Sequence, residues 1–190
     1  KDSFLAGIKD EKLREFAAIN YGPWDRLNGD KPFLKGFDEK TAGAEFYPHD
    51  MTKAEFENAD FADKDGLYSL VRRDHEGQLT TVAYSEAFSD EMNRAAAILE
   101  KASGYAEDKE FANYLNMRAE ALRSDQYQAS DFAWMDMKSN MIDVVIGPIE
   151  TYEDQLYGYR AGFESYVLIK GMAWSEKLAK YAAFLPELQR

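Results

Sequence analysis

One short apolar run of β type limits most strongly what this chain can fold into. Residues 142–149 read IDVVIGPI, and only Asp143, Gly147 and Pro148 interrupt the branched aliphatic side chains. Branched residues favour strands, and a short apolar run with polar neighbours is typical of a buried strand. Because Pro148 lacks an amide donor, we expect the strand ladder to end there or to reach a sheet edge.

Polar side chains follow this strand directly, at Glu150, Tyr152, Glu153 and Asp154. Side chains alternate between faces along an extended chain, so Glu150 and Tyr152 point the same way if the backbone stays extended through Thr151. Their Cα atoms would then lie about 6.5–7 Å apart. This spacing predicts a carboxylate and a phenol side by side over one substrate. The alternative interpretation is a polar strand end that is only solvated.

The remaining segments predict several helices and a hairpin. The runs 67–73 and 78–84 flank the turn sequence DHEG and form the clearest hairpin signal. Helical spacing or capping signals predict helices over residues 4–19, 51–59 with Asp50 as N-cap, 89–103, 108–123 with Asp108 as N-cap, from Ser130 onward, and 173–185, with a further strand at 163–170. The predicted fold class is α+β, with several helices packed on a small antiparallel sheet or partial β-barrel. We expect residues 1–190 to form a single compact unit.

The charge balance argues against two classes of partner. The chain has 23 basic and 35 acidic residues and a net charge of −12. Nucleic-acid binding needs clustered Lys and Arg, and the densest basic spot is the pair Arg72 and Arg73. The acidity also disfavours anionic membranes, and no apolar run approaches 18 residues. We therefore expect a soluble protein that binds neither nucleic acid nor membrane. Its compartment stays open, either cytoplasmic or exported after removal of a signal.

The residue types that hold zinc are scarce in this chain. It has no Cys and two His, at positions 49 and 75. His75 and Glu76 begin like an HExxH motif, but Leu79 stands where the second His belongs and Gly77 falls in the predicted hairpin turn. We therefore predict that this chain binds no metal.

The segment IGPIETYEDQLYGYRAGFESYV, residues 146–167, carries a Glu-x-Tyr, then a Gly-x-Arg, a Phe-Glu pair and an aromatic-Val. It resembles the corresponding segment of the dipeptidyl peptidase III family, zinc metallopeptidase family M49. The wider run 130–170 is similar to bacterial members, as are FYPHDMTKAEFE and AYSEAFSDEMNRAA upstream. It departs from the best-known eukaryotic pattern by one extra residue between Asp154 and Gly158.

The resemblance implies a zinc hydrolase with two lobes that removes dipeptides from peptide N-termini. In that family an HExxGH-type helix and a downstream Glu bind zinc on another lobe, and this chain has neither. It would therefore be an N-terminal, non-zinc portion that contributes one wall of the cleft and is inactive alone. The implied partners are a peptide substrate and the remaining zinc-bearing lobe, and zinc is the implied cofactor of the full-length enzyme.

The resemblance also implies roles for single residues. Tyr152 would donate a hydrogen bond to the tetrahedral oxyanion, and Glu150 would bind the free amino terminus of the substrate. Asp154, Trp134 and Asp136 are further candidates for substrate binding. Each has a structural alternative, namely an ion pair between Asp154 and Arg160, a core position for Trp134 and a solvated helix face for Asp136.

Two other functions fit some of the same residues. A non-catalytic peptide-binding or assembly module would grip amino termini at the same acidic strand end without cleaving them. A glycosidase would use paired carboxylates such as Glu150 and Asp154, at a separation that depends on its stereochemistry. Nothing in the sequence besides the acids supports the glycosidase.

Overall fold

The computed structural model describes residues 2–41, 43 and 45–189, and the chain divides into two units, Lys1–Glu45 and Phe46–Arg190. The expectation of a single compact unit stays a prediction. The first unit contains α1 (Asp2–Ala6), α2 (Glu11–Ile19) and the strands β1 (Trp24–Asp25) and β2 (Lys31–Pro32), which pair antiparallel.

The predicted helix over residues 4–19 is wrong in one respect, because a break separates α1 from α2. Gly7 weakens the helix there, and Asp10 caps α2 by accepting a hydrogen bond from the Leu13 amide at 2.9 Å. In the following loop the Trp24 indole donates to the Asp38 carbonyl at 2.9 Å and packs edge-on against Phe37. These contacts order the aromatic loop of the first unit.

The second unit is α+β, as the sequence predicts. Its elements are, in chain order, α3 (Lys53–Asn58), β3 (Ser69–Arg73), β4 (Leu79–Ala83), α4 (Tyr84–Ala87), α5 (Ser89–Ser103), α6 (Lys109–Ser124), α7 (Gln128–Asp136), β5 (Ile142–Glu150), β6 (Gly162–Ile169), α8 (Met172–Ala182) and α9 (Leu185–Leu188). The predicted hairpin and the predicted strands 142–149 and 163–170 are confirmed as β3–β4 and β5–β6. They form separate two-stranded antiparallel ladders, and a backbone hydrogen bond from Ala161 to the Leu67 carbonyl links them.

The N-cap of α3 differs from the prediction. Thr52, not Asp50, has the extended backbone of a cap and accepts a hydrogen bond from the Glu55 amide at 3.1 Å. The Asp50 carboxylate is bound instead by the Arg73 guanidinium, with Nε 2.8 Å from Oδ2. Arg73 also contacts Glu55 at 2.7 Å, so it joins the start of α3 to the hairpin.

The larger core cluster lies around the helix pair α5 and α6. Asp108 caps α6 as predicted, with Oδ1 accepting from the Glu110 and Phe111 amides at 2.9 and 3.0 Å. The buried face of α6 packs against α5 and against Val144 and Ile146 of β5. The Tyr114 hydroxyl donates to the Val144 carbonyl at 2.7 Å, so α6 is fastened to the organising strand.

The β5–β6 ladder runs from the pair Ile142–Ile169 to the pair Glu150–Gly162. The ladder does not end at Pro148, because Pro148 pairs with Phe163 and a bulge between Pro148 and Glu150 leaves Ile149 unpaired. The predicted alternative, a sheet edge, agrees with the structure, since β5 belongs to a two-stranded ladder. Proline is tolerated at such a bulge because the local ladder is already interrupted. The bulge also shifts the alternation of side chains just before Glu150.

The outer part of β6 and the two C-terminal helices expose apolar side chains. The most exposed of them are Val167, Ile169, Trp174, Leu178, Tyr181 and Leu188. Contiguous apolar patches of this kind mark interaction surfaces. None of the helices in the described ranges is long and apolar enough to cross a bilayer.

Gly147 is placed where a side chain does not fit. Its φ is +142°, and a Cβ built there would lie 3.2 Å from Arg118 Nη1 and 3.3 Å from Tyr127 Cε1. The glycine therefore allows α6 and the segment around Tyr127 to approach the backbone of β5 closely.

We expect Gly147→Ala to lower the free energy of unfolding by about 1–3 kcal/mol, through backbone strain and crowding against Arg118 and Tyr127. Gly77→Ala is the matched control, because Gly77 also has a positive φ, +80°, but nothing lies within 4 Å of its Cβ position. Urea unfolding of both variants measures the two losses. Equal losses would show that crowding at Gly147 contributes nothing.

Candidate functional site

The end of β5 presents Glu150 to solvent and then reverses the chain. Glu150 is exposed and is the last residue of the strand. The Asp154 amide donates to the Thr151 carbonyl at 3.1 Å, so Thr151–Asp154 form a tight turn. The central residues of this turn are Tyr152 and Glu153, and the common direction expected for the Glu150 and Tyr152 side chains stays a prediction. Glu150 and Tyr152 follow each other at the tip of the hairpin, but strand alternation does not fix their relative directions.

Tyr152 is oriented by a hydrogen bond across the hairpin. Its hydroxyl donates to Glu164 Oε1 at 3.0 Å, and 62% of the residue is exposed. This bond, with the negative charge of Glu164, raises the pKa of the Tyr152 phenol. A phenol whose pKa lies above the usual value of about 10 keeps its proton at neutral pH and can donate it. Glu164 is not among the predicted site residues, and the Phe-Glu pair at 163–164 is the sequence signal that could have identified it.

Asp154 organises the loop between the two strands. It is 3% exposed, and both carboxylate oxygens accept hydrogen bonds from inside the protein. The donors are the Tyr47 hydroxyl at 2.6 Å and the backbone amides of Leu156, Tyr157, Tyr159 and Arg160 at 3.0–3.3 Å. Burial, and then the bond to Asp154, raise the pKa of Tyr47. This geometry favours a structural role for Asp154, and its predicted contact with substrate stays a prediction.

Arg160 is fully buried and is held by backbone rather than by a carboxylate side chain. Its guanidinium donates to the Gly66 carbonyl and, at 2.8 Å, to the Lys64 carbonyl. The predicted pair with Asp154 therefore does not form through its side chain. The backbone amide of Arg160 contacts Asp154 instead.

Trp134 lines a groove beside the end of β5. Its indole nitrogen donates to Asp143 Oδ1 at 2.9 Å, and the residue is 39% exposed, so it is not a core residue. The groove has a volume of about 320 Å³. Its lining consists of Tyr68, Tyr114, Arg118, Asp131, Trp134, Met135, Val145, Pro148 and Ile149. Trp134 therefore shares a groove with Ile149, the neighbour of Glu150, while its indole is hydrogen-bonded near the start of β5.

Arg118 is a groove residue that the sequence analysis missed. It is buried, its guanidinium pairs with Asp131, and it lies over the rings of Tyr114 and Tyr127 at 5.5 and 5.4 Å. Its Nε has no hydrogen-bond partner among the described residues. Arg118 follows Tyr114 by four residues, so both lie on the buried face of α6. This helical spacing is the sequence signal that could have identified it.

Comparison with known proteins gives the chain a family. A family model described as peptidase family M49 matches residues 57–187, which is more than half of the chain. The chain belongs to peptidase family M49. It is also 29% identical to Nudix hydrolase 3 of Arabidopsis thaliana over a region that covers 90% of this chain and 29% of that protein.

Solved structures of the dipeptidyl-peptidase III type have the same fold. The chain is 40% identical to DPP III from Caldithrix abyssi, with a TM-score of 0.91. The matched region covers 97% of this chain and 37% of the Caldithrix chain. The chain is 34% identical to dipeptidyl-peptidase III from Corallococcus sp. strain EGB, with a TM-score of 0.89 and 36% of that chain covered. The M49 chain described here thus spans about a third of these relatives, and its family supports a peptidase-like function.

Asp136, a further predicted substrate-binding residue, lies away from the groove. Asp136 is exposed at the end of α7 and lines a different depression, beside Lys109 and Met117, so it is not brought together with Trp134.

M49 peptidases are zinc-dependent in general. Among residues 2–41, 43 and 45–189, no three His, Cys, Asp or Glu side chains are grouped as zinc ligands require, so these residues do not fit the metal.

We expect Tyr47→Phe to destabilise the protein by about 1.5–3 kcal/mol, since it removes a buried hydrogen bond to the charged Asp154. Tyr157→Phe is the control, because it deletes the same atom from a neighbouring ring whose hydroxyl donates a longer hydrogen bond, at 3.4 Å, to the uncharged Lys53 carbonyl. Denaturant unfolding compares the two variants. A loss at Tyr47 no larger than at Tyr157 would contradict the role given to Asp154.

Proposed function

We propose that this chain forms the substrate-binding part of a zinc-dependent dipeptidyl peptidase that removes dipeptides from peptide N-termini. One observation carries the proposal. At the tip of the β5–β6 hairpin of an M49 chain, an exposed carboxylate, Glu150, is followed by an exposed phenol, Tyr152, whose pKa is raised. The carboxylate can accept a hydrogen bond from a substrate ammonium, and the phenol can donate one to an oxyanion.

Tyr152 is proposed as the oxyanion donor. Attack on a peptide carbonyl places negative charge on its oxygen, and a donor already aimed at that oxygen lowers the barrier. The phenol meets the chemical requirement because it is exposed to the solvent side and remains protonated at neutral pH. Its position at a turn, rather than inside the strand, lets the hydroxyl project beyond the ladder.

Glu150 is proposed to bind the amino terminus of the substrate. An enzyme that releases dipeptides has to fix the distance between the free ammonium and the bond that is cleaved. A charge-assisted hydrogen bond between a carboxylate and the ammonium supplies that fixed point. Glu150 is exposed at the strand end, where the β-bulge at Ile149 re-aims the side chains that follow it.

The groove that contains Trp134 is proposed to receive a side chain of the peptide. Its walls are aromatic and aliphatic, and it adjoins Glu150 through Pro148 and Ile149. Peptide pockets of this type combine apolar walls with a few polar groups. Asp154 serves the site by holding the loop in place, and a substrate contact of Asp136 stays a prediction.

The zinc is proposed to be bound by a part of the enzyme outside this chain. The chain spans about a third of the solved relatives, and the apolar surface of β6, α8 and α9 is suited to packing against the remaining lobe. When bound, the metal would activate the attacking water. The glycosidase alternative loses support, because Asp154 is buried and both of its oxygens are occupied.

We expect Tyr152→Phe in the full-length enzyme to lower kcat about 100- to 1000-fold, because it removes one oxyanion donor. Hydrolysis of a dipeptidyl arylamide in the presence of zinc measures the effect. Tyr159→Phe is the control, since it deletes a hydroxyl from the same loop. Unchanged turnover in Tyr152→Phe would remove this residue from the chemistry. A wild-type enzyme without activity would favour the non-catalytic peptide-binding module.

We expect Glu150→Gln to lower kcat/KM about 10- to 100-fold for peptides with a free amino terminus, since a charged hydrogen bond becomes a neutral one. The N-acetylated form of the same peptide is the matched control, because it carries no ammonium. The ratio of the two rates should fall toward one in the variant. A ratio that stays at the wild-type value would show that another group recognises the amino terminus.

A further inference from the structure

We propose that Glu164 is the positioning residue for Tyr152, which holds the phenol at the hairpin tip and keeps its proton in place. The inference rests on the proposed function of Tyr152 as a donor. It assigns a role to a residue of β6 that was not among the predicted site residues.

The first support is the difference between the two partners. Glu164 belongs to a hydrogen-bonded ladder, where it is paired with Gly147. Tyr152 belongs to a turn, and with 62% of its surface exposed its ring gains little orientation from packing. The hydrogen bond from its hydroxyl to Glu164 Oε1, at 3.0 Å, therefore ties the movable group to the ordered strand.

The second support is a further phenol on the same carboxylate. The Tyr166 hydroxyl donates to Glu164 Oε2 at 3.1 Å. The side chains of residues 164 and 166 point to the same face of the strand, so they are neighbours on that face. Because each oxygen accepts from a different phenol, the plane of the carboxylate is held from both ends. A carboxylate acceptor makes each of these bonds stronger than a neutral one.

The third support is the charge at the hairpin tip. The groups that act on the Tyr152 phenol are Glu164, Glu153 and Tyr166, and all of them raise its pKa. The bond to Glu164 is the largest of these effects and the charge of Glu164 the second. A raised pKa means that the phenol stays protonated at neutral pH and loses its proton only at a more alkaline pH than an isolated tyrosine.

These observations define how Glu164 acts on the reaction through Tyr152. A phenol carries one proton, which points at Glu164 in this structure. Rotation about the C–O bond turns that proton toward an oxyanion while the ring stays in place. The carboxylate then keeps the hydrogen bond from Tyr166. Glu164 thus supplies a protonated phenol at a fixed position.

Glu164→Ala and Glu164→Gln in the full-length zinc enzyme test this role. We expect Glu164→Ala to lower kcat about 10- to 100-fold, because a displaced donor loses alignment. Glu164→Gln should recover part of this loss, since its amide oxygen still accepts the hydrogen bond. In both variants the alkaline limb of the rate profile should move to lower pH, because the negative charge is gone. Glu153→Gln, the matched control for charge, should leave turnover near the wild-type value and move the limb less.

A second readout does not depend on activity. With 3-fluorotyrosine at position 152, the fluorine resonance reports the phenol titration, and its midpoint should fall in Glu164→Gln and much less in Glu153→Gln. A normal kcat in Glu164→Ala with an unmoved midpoint in Glu164→Gln would overturn the positioning role, even where Tyr152→Phe is inactive. Full activity in Tyr152→Phe would instead remove Tyr152 from the chemistry, and with it the premise on which the role of Glu164 rests. Thermal unfolding of each variant separates these outcomes from misfolding.

Discussion

The hairpin tip depends on one buried carboxylate. Asp154 is removed from water almost completely, which is costly for a charge unless hydrogen bonds replace its hydration. The Tyr47 hydroxyl and four backbone amides provide them. Because these amides belong to residues 156–160, the carboxylate fixes the path by which the chain leaves β5 and returns as β6. That path brings Glu164 within hydrogen-bonding distance of Tyr152.

Three acids near the tip have three different environments, although a sequence shows them as the same kind of residue. Glu150 is exposed, Asp154 is buried, and Glu164 is partly buried with two phenol donors. Sequence spacing gave the correct order of elements here, since apolar periodicity is a local property of the chain. It could not give these environments, because burial depends on which loops pack together.

Two predictions failed for the same reason. The cap at Asp50 and a ladder that ends at Pro148 were each drawn from a residue and its immediate neighbours. In the structure Arg73 binds Asp50 from a hairpin 23 residues away, and a bulge admits Pro148 to the ladder. The helix cap at Asp108 was predictable because both of its backbone donors lie within three residues. The contact between Tyr152 and Glu164 was not, because it requires the register of the returning strand.

The position of the candidate site within one hairpin has a physical consequence. The phenol, the carboxylate that orients it and the loop anchor all lie between Tyr47 and Tyr166, in the second unit of the chain. The hydrogen bonds that set their mutual geometry all lie within this unit. The groove beside Trp134 is likewise built from the second unit. Under the proposed function, a lobe that packs on β6 and α8 would have to align its metal with a donor that is already placed, so the docking of the two lobes would be the step that completes the site.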